Sequence, residues 1–264
     1  MTKENPNKKP FKPLFKQEEI MIPTDIPRYV KPSQLVIIGG GTSLKEGIQK
    51  GLWNRMIGKY TIGLNHIYKY FPRPTIQSYV DIDFYNDEYK NLKDIPLIIG
   101  KYHYNLEHME KKAHPNTIML QCIPNYHRDL KDGIYKDSLV GLFALSLAIK
   151  LLDKGEIFLL GYDYGSNGAK DKLGRKVTHF NQGEINHTGM GKVDYYETIG
   201  RANKDFGVYA KEEKVKIYNV SLNSKILTFP KISYDEFFNK LKDGEVDQDR
   251  IRREARQKLK EITL

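Results

Sequence analysis

The chain has 264 residues, 39% of them hydrophobic, and 43 Lys and Arg against 33 Asp and Glu give a formal net charge of +10. That length suffices for one large α/β domain with a sizeable core, and a single cysteine excludes an internal disulfide framework or a cysteine-rich metal site. No apolar run approaches the ~20 residues of a membrane span and the first residues lack the apolar core of a signal peptide, so a cytoplasmic protein is expected, at most peripheral at a membrane.

In chain order, residues 1–30 carry Lys3, Lys8, Lys9, Lys12 and Lys16 among prolines and read as a disordered basic tail. Residues 31–240 alternate strand-like and helix-like stretches, with strand candidates at 35–38, 60–64, 76–82, 96–99, 117–123, 156–160 and 215–220. A helix is expected over 138–152, led by the capping Ser138 and apolar nearly all round, and another over about 193–211. Alternation of this kind predicts an α/β, Rossmann-like fold, a mostly parallel sheet with helices on both faces. Cys122 lies in a strand-like run and reads as a buried structural thiol. Residues 241–264 form a basic C-terminal helix, in which Arg250, Arg252, Arg253, Arg256, Lys258 and Lys260 surround an apolar stripe of Ile251, Ala255, Leu259 and Ile262. Such a helix can pack by its stripe, or meet an anionic membrane, nucleic acid or a partner subunit.

The first strand candidate runs into Gly39, Gly40 and Gly41, then Thr42 and Ser43. Glycines let a backbone approach an anion closely, and a helix N-terminus favours negative charge, so this turn is a candidate phosphate site. Thr42 or Ser43 can cap the helix, with Glu46 three residues after Ser43 as a capping box requires. The turn matches neither the dinucleotide fingerprint nor the P-loop, and a tight packing turn without ligand is the plain alternative.

Ligands of parallel sheets bind beyond the carboxyl ends of the strands. Those ends carry Asn65-His66, Asp81-Ile82-Asp83 and Gly161-Tyr162-Asp163-Tyr164. Asp81 and Asp83 point the same way along an extended strand and could hold Mg²⁺ beside a phosphate, or cap a helix starting near residue 86. Asp163, ending a buried strand, needs a partner for its charge, and a functional role is expected for it. Asn65 can bind a base or sugar, or end its strand in an Asx turn. Residues 165–191 are polar and long enough for a lid-like binding loop, and carry His179 and His187 as candidate general bases. His103, His108, His114 and His127 lack metal-ligand spacing and read as surface or structural.

The order of these motifs resembles bacterial sialyltransferase-like glycosyltransferases of the lipooligosaccharide type, and the related 6-hydroxymethylpterin pyrophosphokinase-like proteins. The family turn Gly-Asn-Gly-Pro-Ser-Leu-Lys is matched by Gly39-Gly40-Gly41-Thr42-Ser43-Leu44-Lys45, and the asparagine ending its next strand by Asn65. Ser138 heads the corresponding apolar helix, and Glu156-Ile157-Phe158-Leu159-Leu160-Gly161-Tyr162-Asp163-Tyr164 matches a Glu-Ile-Tyr-Leu strand with its Gly-Ile-Asp-Phe-Tyr turn. Asn186-His187-Thr188-Gly189 and Leu222-Asn223-Ser224 match a Ser-His-Tyr-Ile-Gly-His segment and a Pro-Asn-Ser.

The resemblance implies a Rossmann-like domain taking a CMP- or UDP-linked sugar donor and a hydroxyl-bearing acceptor. It places Gly41, Ser43 and Asn65 at the nucleotide and Asn223 and Ser224 at its base or ribose; Gly39, Gly40, Thr42 and Ser138 are further nucleotide-binding candidates. His187 is then the general base, Asp163 stands beside it as a further catalytic candidate, and Tyr162 or Tyr164 would ease departure of the nucleotide. Two alternatives stand beside this reading. A Mg²⁺-dependent ATP pyrophosphokinase would hold metal on Asp81, Asp83 and Asp163. A non-catalytic nucleic-acid-binding protein would use its basic termini and tyrosines. The same termini could deliver a transferase to DNA or an anionic membrane, and the chain could form a homo-oligomer.

Overall fold

The structure, a computed structural model, describes residues 32–71, 73–101, 113–120, 122–123, 134–135, 139–165, 177–181, 203–211 and 214–260. The expected N-terminal tail, Ser138, His187 and most of the 165–191 loop and of the 193–211 helix lie outside the described residues.

Seven strands make one sheet: β1 (Gln34–Ile38), β2 (Thr61–Leu64), β3 (Ile76–Tyr79), β4 (Ile98–Lys101), β5 (Thr117–Leu120), β8 (Gly155–Leu160) and β9 (Val215–Asn219). Their order is β5-β4-β3-β2-β1-β8-β9, and every pairing is parallel. The short β6 (Cys122–Ile123) and β7 (Ile134–Tyr135) pair separately. The run expected at 117–123 is therefore divided: its first half extends the main sheet and Cys122 belongs to the small one.

Both faces of the sheet are covered because both phases of each central strand are apolar. Leu35, Ile37, Ile157 and Leu159 face one core, which contains helix α4 (Val140–Leu152) and the stripe Ile251, Ala255 and Leu259 of the C-terminal helix α6 (Gln248–Lys260). Val36, Ile38, Phe158 and Leu160 face the other, with Leu44 of α1 (Leu44–Gln49), Leu52 and Trp53 of α2 (Leu52–Met56) and Phe237 of α5 (Tyr234–Lys240). A third cluster, with Tyr79, Phe84, Tyr85, Leu92 and Ile98, seats α3 (Ile82–Leu92). Each fully buried Leu, Ile or Phe contributes ~1.5–3 kcal/mol relative to exposure.

Two local expectations are corrected. The strand expected to reach residue 82 stops at Tyr79, because Phe84, Tyr85, Glu88 and Leu92 recur with helical spacing and α3 begins at Ile82. Asp81 is thus the residue before α3 and Asp83 lies in its first turn; both are exposed, and neither is strand. Helix α4 begins at Val140 with Leu139 in the capping position, one residue after the serine expected to cap it.

Helix α6 packs by its apolar stripe, and its cations hold the amino edge of the sheet. Arg252 donates to the carbonyl of Thr75 (3.0 Å) and Arg256 to that of Pro96 (3.1 Å). Lys258 reaches the Leu151 carbonyl at 2.9 Å and Asp153 at 2.8 Å, and Gln248 donates to the Lys59 carbonyl at 3.0 Å. No helix among the described residues is long and apolar enough to cross a membrane.

Candidate functional site

From β1 the chain builds outward through β2 to β5, then returns to lay β8 on the other side of β1. The strand order therefore reverses between β1 and β8, and the loops leaving the carboxyl ends of those two strands stand at the place where open parallel sheets bind ligands. Those loops are Gly39–Ser43 and Gly161–Tyr164 by sequence position.

The two loops are locked to each other. Gly39 N donates to the Leu160 carbonyl (2.7 Å) and Gly41 N to that of Gly161 (2.9 Å). The Asp163 carboxylate, buried to 7% exposure, accepts from Thr42 Oγ1 at 3.0 Å, Ser43 N at 2.7 Å and Ser43 Oγ at 2.5 Å. The anion at the start of α1 is thus the chain's own aspartate, which answers the partner that a buried carboxylate requires. The capping box expected at Ser43 and Glu46 does not form: the Ser43 side chain turns to Asp163, and Glu46 pairs with Lys50 at 3.1 Å. A capping box does form at Ser233 and Glu236, heading α5.

Glycine is needed in the turn for close approach to protein. A Cβ on Gly41 would stand 2.6 Å from the Gly161 carbonyl oxygen and 2.7 Å from Asp163 Cγ. One on Gly40 would stand 2.8 Å from the His179 ring. His179 belongs to the described part of the 165–191 loop, which bridges Gly41 and, through Phe180 N, donates to the Gly40 carbonyl at 3.0 Å. Burial pushes the His179 imidazole down to about 4, against the opposing pull of Asp163 and with a further push from His66. It is therefore neutral at physiological pH.

Asn65 ends β2 with φ of 48°, a left-handed conformation that asparagine tolerates better than most residues. Its backbone carbonyl is held by Gln77 Nε2 at 2.7 Å. Its buried side-chain Oδ1 has no hydrogen-bond partner among the described residues. A buried carbonyl without a donor loses about 1–3 kcal/mol, so it marks a place where a ligand can supply one.

Next to it stands His66, whose Nε2 lies 3.3 Å from Glu88 of α3. The same carboxylate takes Lys69 at 2.6 Å, the Tyr68 hydroxyl at 2.5 Å and Asn91 at 2.8 Å. Burial alone would raise Glu88, but these four donors outweigh it and hold the carboxyl well below the usual range. Sequence reasoning noted His66 only as a strand-end residue and missed Glu88, a mid-helix carboxylate about 20 residues downstream in a different element.

Other expected site residues sit elsewhere. The Tyr162 hydroxyl is in the core and donates to the Gly141 carbonyl at 3.0 Å, tying β8 to α4. Ser224 is buried, donating to the Tyr162 carbonyl at 2.6 Å and accepting from Asn219 at 2.9 Å, so it fixes the loop after β9 from within. Asn223 beside it is exposed at the same sheet edge. Among the described residues no three His, Cys, Asp or Glu side chains gather closely enough to hold a metal, and Asp163 is turned to Thr42 and Ser43, away from Asp81 and Asp83 in its bonding. His114 stacks on Tyr89 at 3.9 Å and its Nε2 lies 2.8 Å from the Tyr89 carbonyl, as expected of a structural histidine.

No family model and no curated protein matches the chain. A solved structure described as the MAf glycosyltransferase from Magnetospirillum magneticum AMB-1 aligns at a TM-score of 0.49 and 14% identity, over 88% of this chain and 37% of that one. The chain thus spans little more than a third of that protein's length.

Proposed function

We propose that the chain is a glycosyltransferase that takes a CMP- or UDP-linked sugar in the crevice between the β1, β2 and β8 loops and passes it to a hydroxyl acceptor. The observation that carries this reading is Asn65: an amide carbonyl in a strained turn, at the carboxyl end of a central strand, with no donor of its own. An asparagine in that place can read the donor–acceptor edge of a base or the hydroxyls of a ribose. The sequence resemblance assigns the same residue to the nucleotide.

The glycine turn serves this site as a wall. The Ser43 amide is taken by Asp163 and the Gly41 amide by Gly161, so the donor's phosphates are not seated on these two groups. Their contacts fall to groups on the β2 and β9 loops, where exposed Asn223 and Lys225 stand at the same edge. His179, neutral and packed on the turn, closes the crevice from the lid side. Chemistry here consists of holding donor and acceptor in register in a partly dry site, and of moving one proton.

A thermal-shift panel of CMP, UDP, GDP, ADP and ATP, each with and without Mg²⁺, tests the reading. A ligand at 100 times its Kd adds about 2.7 kcal/mol, which raises Tm by roughly 5–10 °C for a chain of this size. CMP or UDP should do so without metal, and Asn65→Ala should abolish that shift, each variant being measured against its own unliganded Tm. Stabilisation by ATP alone, and only with Mg²⁺, would replace this reading with a phosphotransferase.

A further inference from the structure

We infer that the Lys225 ammonium is the seat of the donor's phosphate, and that Gly165 positions it by leaving room for the lysine stem. This deepens the transferase reading by naming what meets the charge of the nucleotide, and it rests on that reading.

The place a phosphate would ordinarily take at this edge is filled. At the amino end of α1 the Asp163 carboxylate holds the Ser43 amide at 2.7 Å, the Ser43 hydroxyl at 2.5 Å and Thr42 Oγ1 at 3.0 Å. A second anion there would stand against the charge of the aspartate. A phosphate bound at the carboxyl edge therefore needs a cation outside the glycine turn.

Lys225 supplies one, and its backbone is tied to that same aspartate. Its N–H donates to the Asp163 carbonyl at 2.8 Å, and its own carbonyl accepts from Asn203 Nδ2 at 3.0 Å. The residues on either side are anchored too: the Ser224 hydroxyl donates to the Tyr162 carbonyl at 2.6 Å, and the buried Ile226 donates through its N–H to Ser224 Oγ at 3.0 Å. The side chain is then directed by contact. A Cβ on Gly165 would stand 2.8 Å from Lys225 Cγ and 3.5 Å from Cε, so the methylenes lie along the backbone that follows the β8 loop.

The stem is thus held and the tip is open. Lys225 is exposed, and its ammonium has no hydrogen-bond or ion-pair partner among the described residues. Other cations of the protein are engaged: Lys231, six residues on, donates to the Ser224 carbonyl at 2.6 Å, and Lys258 of α6 pairs with Asp153 at 2.8 Å. A lysine binds phosphate as a point charge on a flexible stem, and a stem fixed beforehand loses less freedom when the anion arrives.

Placement agrees with the nucleotide's other end. Strands β2 and β8 flank β1, which puts them about 10 Å apart at ordinary strand spacing. Asn65 ends β2, and the Lys225 stem lies on the loop that leaves β8. A base held at the first and a phosphate at the second are separated by a distance that one nucleotide spans, with the β1 turn between them.

Equilibrium binding on the full chain tests this, with CMP and UDP as charged probes and cytidine and uridine as the same bases without phosphate, the nucleosides being measured as competitors. Lys225→Met keeps the stem and removes the charge. It should weaken CMP and UDP roughly 10- to 100-fold, leave the nucleosides and the unliganded Tm unchanged, and flatten the salt dependence of nucleotide binding. Lys225→Arg should retain most of the affinity. Gly165→Ala, which displaces the stem and keeps the ammonium, should weaken the nucleotides to a smaller degree, again without touching the nucleosides. Lys216→Met removes an exposed charge from β9 and should change nothing. Wild-type nucleotide affinity in Lys225→Met overturns the assignment and leaves the transferase standing. So does an equal loss for nucleosides and nucleotides, which would mean a structural role, or an equal loss in Lys216→Met, which would mean a diffuse effect of charge. Wild-type affinity in Gly165→Ala overturns the role given to that glycine. A wild-type protein that binds none of the four probes overturns both readings.

Discussion

The two edges of the sheet are built differently. At the amino edge, side chains from α6 reach backbone carbonyls that precede the strands: Arg252 on Thr75, Arg256 on Pro96 and Gln248 on Lys59. Formal charge there is spent on holding the chain together. At the carboxyl edge stand a left-handed asparagine with an unanswered carbonyl, two neighbouring histidines and a carboxylate dyad. Stability comes from both edges, but only the carboxyl one carries the left-handed asparagine whose buried side-chain carbonyl has no donor among the described residues. Several of the C-terminal cations, which the sequence left open to packing or to an anionic partner, are engaged with the protein's own backbone.

The largest expected effect tests the seam between edge and core. Asp163→Ala would leave the Thr42 and Ser43 hydroxyls and the Ser43 amide without their acceptor, and should cost about 2–4 kcal/mol in denaturant unfolding. Wild-type stability in that variant would mean that the two loops are not joined as described.

A somewhat smaller effect concerns pH. His179 titrates near 6.5 when unfolded and about 4 when folded, so the unfolded chain binds the extra proton between those values. The stability gained from keeping it neutral is present above about pH 6.5 and is lost as pH falls toward 4, on the order of 3 kcal/mol in all. His179→Asn should flatten that slope relative to the wild type, measured as Tm against pH. Glu88 has the same sign in a more acidic window, its contribution being complete above the ordinary carboxylate range and lost only in strong acid.

At the other edge, Arg252→Met should cost about 1–2 kcal/mol by leaving the Thr75 carbonyl without its charged donor, with no change in the nucleotide-induced thermal shift. A variant that lost binding but not stability would reverse the roles given to the two edges.

Much of this architecture was readable in the sequence because central parallel strands are continuous β-branched runs with no competing period. All seven strands of the main sheet fall within expected segments or overlap them, β4 by only two residues. The errors occur where two periods overlap. The run after Tyr79 alternates like a strand for a few residues, but Phe84, Tyr85, Glu88 and Leu92 bury one helical face. Asn65 and Asp163 were identifiable as strand-end polar residues, and their distinct roles were not: one lacks a donor and the other has three. That difference depends on pairing across more than a hundred residues of chain, since Asp163 meets Ser43 at a separation of 120. Glu88 carries no local mark of its pairing, because a carboxylate in mid-helix is ordinarily solvated and only the turn of residues 65–69 makes it otherwise.

The most direct measurement is hydrogen exchange of the full chain with and without saturating CMP or UDP. Protection should rise at residues 39–43, 65–69 and 177–181, along the carboxyl edge, and stay unchanged in α6. Protection confined to α6 and the amino edge, or no change at either, would contradict the placement of a nucleotide over Asn65.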